Sequence, residues 1–408
     1  MEVLTDNRIQ TINPTTGETL EQYELMNEKE ATAAVQRCHE AFKKWRLQTP
    51  EQRAKIIAAI GEQLQANADE LARLMTQEMG KLLKQSHQEL ELCQGICTYT
   101  AEHAPSQLQN EERQLSGGGR GIVAYRPIGV VYGIQPWNFP VYQVVRYAVA
   151  NLMAGNGVLL KHAESVTGCG LRIKELFEAA GLPKDLFTVL VIDHDTSDKI
   201  IAHDLVRGVT LTGSPEAGRI VGKKATAALK KTVLELGSND AYVVLADADI
   251  ENAVEQCVRG RLFNNGQTCV AAKRFVVVAD VYEDFKKAFV KAMKAAKYGD
   301  PTDEAAKIGP MAREDLREEL HEQLQESLRK GATLLCGGEL PDGPGFYYPA
   351  TVIENVDPGQ PAYDDELFGP VAALIKAKNT EDAMRIANDS RYGLGGGIFS
   401  QDEEKAIE

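Results

Sequence analysis

Between residues 129 and 236 short apolar runs alternate with helical patterns, and this alternation leaves few folds open to the chain. Apolar strands are expected at 130–134, 158–161, 186–192, 209–212 and 232–236, with helices near 141–153, 165–180, 196–203 and 215–228. Successive β-α-β units of this kind build a parallel sheet covered on both faces. Such sheets bind ligands at the carboxyl ends of their strands. After 237 the alternation resumes, with strands expected at 241–245, 273–279, 332–336 and 371–377 and helices near 249–264, 281–297, 312–329 and 379–389. The fold class is therefore α/β, with a second α/β domain following the first.

Ahead of these units the chain reads as mostly helical. Residues 11–23 form short extended pieces about a turn at Asn13-Pro14-Thr15-Thr16-Gly17. Thr49, Pro50 and Gln52 mark a helix start with a capping box. Ile56, Ile57, Ile60 and Leu64 then share one face, and a further helix is expected from about 69 past Cys97. Residues 110–128 read as a hairpin, two extended arms about Gly117-Gly-Gly-Arg-Gly121. An isolated two-stranded hairpin is marginal, so a second subunit is expected to cover it. Residues 401–408 read as the opening turns of a helix, which suggests a further C-terminal segment.

Composition narrows the function. A formal charge of −14 over 408 residues argues against a footprint for nucleic acid or anionic lipid. Seven scattered cysteines make no disulfide framework, and Cys93 and Cys97, which share a helical face, read as core thiols. The first ten residues carry no apolar leader, and no apolar run reaches a membrane span. The expected compartment is a reducing cytoplasm. No metal site is expected.

Five segments carry residue types suited to chemistry. Gly213-Ser-Pro-Glu-Ala-Gly218 follows a strand and opens a helix, where backbone N–H groups can hold a pyrophosphate. It lacks the Lys-Ser/Thr of a P-loop. Gly117–Gly121 leads into an extended run and reads as a hairpin turn. Cys269, after Asn264-Asn-Gly-Gln-Thr, is either a nucleophile on a loop or a buried free thiol. Glu235 lies at an apolar strand end among Val233, Leu234 and Leu236, either paired structurally or buried for base chemistry. Asn138, within Pro136-Trp-Asn-Phe-Pro140, is either an aimed amide donor or a turn amide.

The segments PWNFP (136–140), LLKHAES (159–165), TLTGSPEAG (210–218), VLELGS (233–238), NNGQTC (264–269) and ELFGPV (366–371) occur in the order and spacing of the aldehyde dehydrogenase superfamily. The chain resembles most closely the bacterial, NAD-using succinate-semialdehyde dehydrogenases. The resemblance implies a Rossmann-type NAD-binding domain over 1–109 and 129–236, an oligomerisation hairpin at 110–128 and a catalytic domain over 237–408. It also implies that Cys269 is the nucleophile, Glu235 the general base and Asn138 an oxyanion donor. Lys161 and Glu164 match the pair at the adenosine ribose, and Gly213 and Ser214 lie at the pyrophosphate. Glu366 and Phe368 match the pair at the nicotinamide ribose and ring, while Ile134, Pro136 and Trp137 line the cofactor cleft. The implied partner is a homodimer or homotetramer.

Three departures qualify the match. Phe263 stands where many succinate-semialdehyde members carry an arginine for the substrate carboxylate, while Arg146 matches their second one. Its alternative is a helix-surface arginine. Ser238 replaces a usual second glycine, so the base loop is expected to shift. The family's final segment, which resembles an oligomerisation strand and the last substrate loop, is not found. The expected reaction is oxidation of succinic semialdehyde by NAD, with NADP weaker because the Glu164 carboxylate repels a 2′-phosphate. His162 is the one neighbour able to add positive charge, but an unperturbed histidine is mostly uncharged near neutral pH. A thiol acyl hydrolase or transferase without redox chemistry, or a non-catalytic relative, stands as the alternative.

Overall fold

The computed structural model of the protein describes residues 7–408. The N-terminal residues 1–6, read above for a leader, lie outside the described residues. Strands β1 (Arg8–Ile12) and β2 (Thr19–Glu24) pair antiparallel, and helices α1 (Glu28–Trp45), α2 (Pro50–Ala66), α3 (Ala68–Met79) and α4 (Leu83–Gln107) follow. The Thr49 hydroxyl accepts from the Gln52 amide, and the Gln52 side chain reaches back to close the capping box of α2. The single helix expected from 69 past Cys97 is two. Gly80 ends α3 in the left-handed conformation, at φ 79°, where a Cβ would also stand 2.8 Å from Pro310 Cγ. Strands β3 (Glu111–Gln114) and β4 (Arg120–Val123) form the expected hairpin.

The next stretch runs β5 (Val130–Gln135), α5 (Tyr142–Met153), β6 (Gly157–His162), α6 (Thr167–Ala179), β7 (Phe187–Val189), α7 (His194–Ala202), β8 (Val206–Thr212), α8 (Pro215–Ala227) and β9 (Lys231–Glu235). These strands build a parallel sheet of order β7-β6-β5-β8-β9. Successive residues alternate faces, so Leu159 packs into one core while Val158 and Leu160 pack into the other. The chain starts at β5, winds to β7, then returns to β8. That reversal opens a crevice at the carboxyl ends of β5 and β8.

Beyond it lie β10 (Ala241–Val244), α9 (Ile250–Leu262), β11 (Arg274–Val278), α10 (Tyr282–Ala295), α11 (Glu314–Arg329), β12 (Thr333–Cys336), β13 (Thr351–Glu354), α12 (Pro361–Asp364), β14 (Val371–Ala377), α13 (Thr380–Asn388), β15 (Gly397–Phe399) and α14 (Glu403–Ile407). The second sheet has the order β12-β13-β14-β11-β10-β15, and β12 alone pairs antiparallel. Strands β13 and β15 fall outside the alternation read from the sequence. They are four and three residues long, too short for a periodic signal. All seven cysteines are free thiols, with Cys93 and Cys97 buried on α4. Among the described residues no helix is long and apolar enough to cross a membrane.

Candidate active site

Cys269 follows a tight loop at the end of α9, and that loop is built by three consecutive left-handed residues: Asn264 (φ 54°), Asn265 (φ 58°) and Gly266 (φ 75°). Asparagine tolerates this conformation because its amide can bond locally. Asn265 Nδ2 donates to the Gly80 and Pro310 carbonyls, each at 2.9 Å, and its Oδ1 accepts from Gly309 N at 2.7 Å. Gly266 is obligatory, since a Cβ would lie 2.4 Å from the Gly369 carbonyl carbon. The buried Arg261 guanidinium grips the Gly266 carbonyl at 2.5 Å. The loop therefore presents Cys269 partly exposed, unlike Cys38, Cys93, Cys97, Cys169 and Cys257, which are buried. Burial pushes the Cys269 thiol above its ordinary range, while the nearby Lys273 and Arg146 cations work against that.

Asn138 is buried and tied to the same loop. Its Nδ2 donates to the Gln267 carbonyl at 3.1 Å, and its own carbonyl accepts from Asn264 Nδ2 at 2.8 Å. An amide carries two N–H donors, so one remains for another acceptor. The turn bearing Asn138 is pinned at its far end. Glu89 accepts from Val141 N and Tyr142 N at 2.8 Å each, pairs with buried Lys81, and Lys81 lies 4.2 Å from the Phe139 ring centre. Phe139 in turn stacks on Phe263, with ring centres 6.2 Å apart.

Two carboxylates face this region. Glu366 is held by Lys273 Nζ at 3.2 Å and by Ser238 N at 3.1 Å, and burial raises its pKa against the pull of Lys273. Gly237 leaves room for it, since a Cβ there would stand 2.3 Å from Glu366 Oε2. Ser238 uses its amide on Glu366 and its hydroxyl on Asp240, so its side chain is turned into the protein. Glu235 corrects an expectation. It is not enclosed by apolar neighbours: β9 is an edge strand, Val233 is 58% exposed, and Glu235 is itself half-exposed. Its partner is Arg146 on α5, at 3.8 Å. Arg146 thus meets a carboxylate, and its charge reaches Cys269.

The crevice side brings the other residues together. Ile134 on β5 pairs in register with Lys161 on β6 and Leu211 on β8. Lys161 and Glu164 are buried and paired at 2.6 Å. Gly213 N donates to the Glu235 carbonyl at 3.0 Å, linking this turn to β9, and exposed Ser214 caps α8 by accepting from Ala217 N. Pro136 and Trp137 follow β5 and are partly exposed, and Trp137 meets Phe368 edge to face at 5.7 Å. His162 adds no positive charge beside this pair. Its ring is buried between the Gln135 and Pro140 carbonyls, and burial drives its pKa down to about 4, so it stays neutral. Exposed His194 lies 3.9 Å from Glu164, across 30 residues of sequence.

These groups fit a polar, elongated cofactor. The Thr212 hydroxyl, the Ser165 hydroxyl and both amide atoms of Gln135 are buried without partners among the described residues, at the ends of β8, β6 and β5. Orphaned polar atoms at a topological switch point suit the hydroxyls and phosphates of a dinucleotide. No cluster of His, Cys, Asp or Glu suited to a metal ion is found among the described residues. Lys273 is not singled out by the sequence reading, yet it bonds the Cys269 carbonyl at 2.7 Å as well as Glu366. The signal available was a lysine set between Ala272 and an apolar strand.

A model of the aldehyde dehydrogenase family matches residues 3–408. The chain belongs to the aldehyde dehydrogenase family. This aldehyde dehydrogenase is 44% identical over 396 residues to the succinate semialdehyde dehydrogenase [NAD(P)+] Sad of Escherichia coli, covering 97% of this chain and 86% of that one. It is 41% identical over 399 residues to an NADP(+) succinate-semialdehyde dehydrogenase of Mycobacterium leprae, covering 97% of this chain and 87% of the other. The succinic semialdehyde dehydrogenase of Streptococcus pyogenes, solved with NADP+, superposes with a TM-score of 0.95 at 36% identity, over 98% of this chain and 88% of that one. The aldehyde dehydrogenase fold read from the sequence is borne out. Neither the acyl hydrolase nor the non-catalytic reading finds support in these relatives.

Proposed function

We propose that this enzyme oxidises a small carboxylated aldehyde, succinic semialdehyde foremost, with NAD preferred over NADP. The observation that carries the reading is the partly exposed Cys269, on a loop tied to the Asn138 amide and within the field of Arg146, which in turn meets Glu235. The Cys269 thiolate adds to the aldehyde carbon, and the carbonyl pair moves to oxygen. The free N–H of Asn138 and the Cys269 amide receive that oxyanion. The bound nicotinamide supplies a hydride acceptor. Glu235 then takes a proton from the water that attacks the resulting thioester, the C–S bond breaks, and the acid departs. Arg146 offers a fork for the substrate's far carboxylate, with Phe263 giving an aromatic wall where a second arginine is missing.

NAD(P) dependence is supported by the names of the relatives, which carry NAD(P)+ or NADP+. The preference for NAD rests on this chain's buried Glu164, a carboxylate suited to ribose hydroxyls and opposed to a 2′-phosphate. We read 1–109 with 129–236 as the cofactor domain and 237–408 as the catalytic domain. Leu115, Ile122, Val123 and Tyr125 are exposed on and beside the 110–128 hairpin, which favours a homodimer or homotetramer. Free thiols throughout suit a reducing cytoplasm. Stopped-flow kinetics of Cys269→Ala and Glu235→Gln test the reading. The first should abolish oxidation yet keep cofactor binding. The second should give a fast burst of reduced cofactor and then stall. Near-normal turnover in Cys269→Ala, or loss of the burst in Glu235→Gln, contradicts it.

A further inference from the structure

Lys273 and Arg146 are the cations whose fields reach the Cys269 thiol. Lys273 is committed. It is buried, bonded to the Cys269 carbonyl at 2.7 Å and paired with Glu366 at 3.2 Å. Arg146 is not. Its guanidinium lies 5.8 Å from the Tyr142 ring centre and meets Glu235 Oε2 at 3.8 Å, too far for a direct hydrogen bond. Both members of that pair are more than a third exposed. A contact so loose exchanges readily for a better acceptor. Phe263, stacked on Phe139, supplies no second cation.

One guanidinium fork can clamp one carboxylate in full bidentate geometry. We propose that Arg146 is passed between two carboxylates: Glu235 in the resting site, and the far carboxylate of the substrate once it is bound. This rests on the reading of Cys269 as nucleophile and Glu235 as base. While Arg146 holds Glu235, that carboxylate faces the guanidinium instead of the hydrolytic water. A carboxylated acyl chain draws Arg146 away and frees Glu235. Water oxygen then bonds the acyl carbon, its proton passes to Glu235, and the C–S bond breaks with its electron pair returning to the Cys269 sulfur. A neutral acyl chain leaves the pair intact and the thioester lingers. Arg146 is on this account a positioning residue for the base as well as a contact for the substrate.

Rapid quench and intact-mass measurement of acylated Cys269 test this, because they follow the thioester rather than turnover. Wild-type enzyme with cofactor is acylated from succinic semialdehyde or from butanal, which carries a methyl in place of the carboxylate. The butanoyl adduct should decay about threefold to fivefold more slowly than the succinyl adduct. In Arg146→Gln the butanoyl adduct should decay faster than in wild type, so that the two rates converge, while KM for succinic semialdehyde rises. Arg146→Lys should keep part of the difference. Equal decay of the two adducts in wild type overturns the proposal, and needs no variant. So does a butanoyl rate unchanged in Arg146→Gln with only KM altered, the result for an arginine that merely binds substrate. If neither aldehyde acylates Cys269, the nucleophile assignment itself falls.

Discussion

Two carboxylate–cation pairs flank Cys269, and they are built in opposite ways. Lys273 and Glu366 are 1% and 15% exposed, and further backbone bonds lock each of them. Arg146 and Glu235 are 39% and 37% exposed and meet only at 3.8 Å. Burial makes the first pair a fixed strut, because removing either partner strands a charge in low dielectric. Water on the second pair makes its members exchangeable. The frame around Cys269 is thus rigid at the Lys273–Glu366 pair and loose at the Arg146–Glu235 pair.

The sharpest way to break this contrast is Lys273→Met. Leaving Glu366 buried and unpaired should cost about 3–5 kcal/mol in urea unfolding. A loss below about 1 kcal/mol would make the two pairs equivalent. Asn138→Ala tests the rigid frame through chemistry: with Asn138 as the proposed oxyanion donor, turnover should fall on the order of 10²–10³-fold. A loss under tenfold would shift that role to the backbone. The Lys161–Glu164 pair, buried like the first, provides a third case. Glu164→Ser should move the kcat/KM ratio of NAD to NADP toward NADP by about tenfold, or about 1.4 kcal/mol. An unchanged ratio would show that the carboxylate does not read the ribose. Arg146→Gln should change stability by no more than about 1 kcal/mol, against the large cost at Lys273.

The smallest effect concerns the thiol. Burial favours the neutral form of Cys269, so iodoacetamide alkylation of the cofactor-free enzyme should climb with pH above the range of a free cysteine. Taking away the Arg146 cation should push that climb further up. Half-maximal alkylation at or below the ordinary thiol range would mean that the cations outweigh burial.

Local periodicity and turn chemistry were enough for the sheet from 129 to 236 and for the Thr49 cap, because each depends on near neighbours in sequence. The break at Gly80 is a local signal that the periodicity reading passed over: a glycine ends the helix in the left-handed conformation. The exposure of Glu235 was missed for a different reason. Val233 and Leu234 look like core residues in any window, and only the placement of β9 at the sheet edge uncovers them.

The sequence by itself determined the α/β class, the family, and the residue types able to act as nucleophile, base and amide donor, since motif order and spacing are properties of the chain alone. Tertiary structure decided which cation each carboxylate would meet. Glu235 and Arg146 are 89 residues apart, and Lys273 and Glu366 are 93 apart. It also buried His162 between two carbonyls, which holds the ring neutral. Charge and burial act through space, so the state of an ionisable group follows from whatever the fold packs against it.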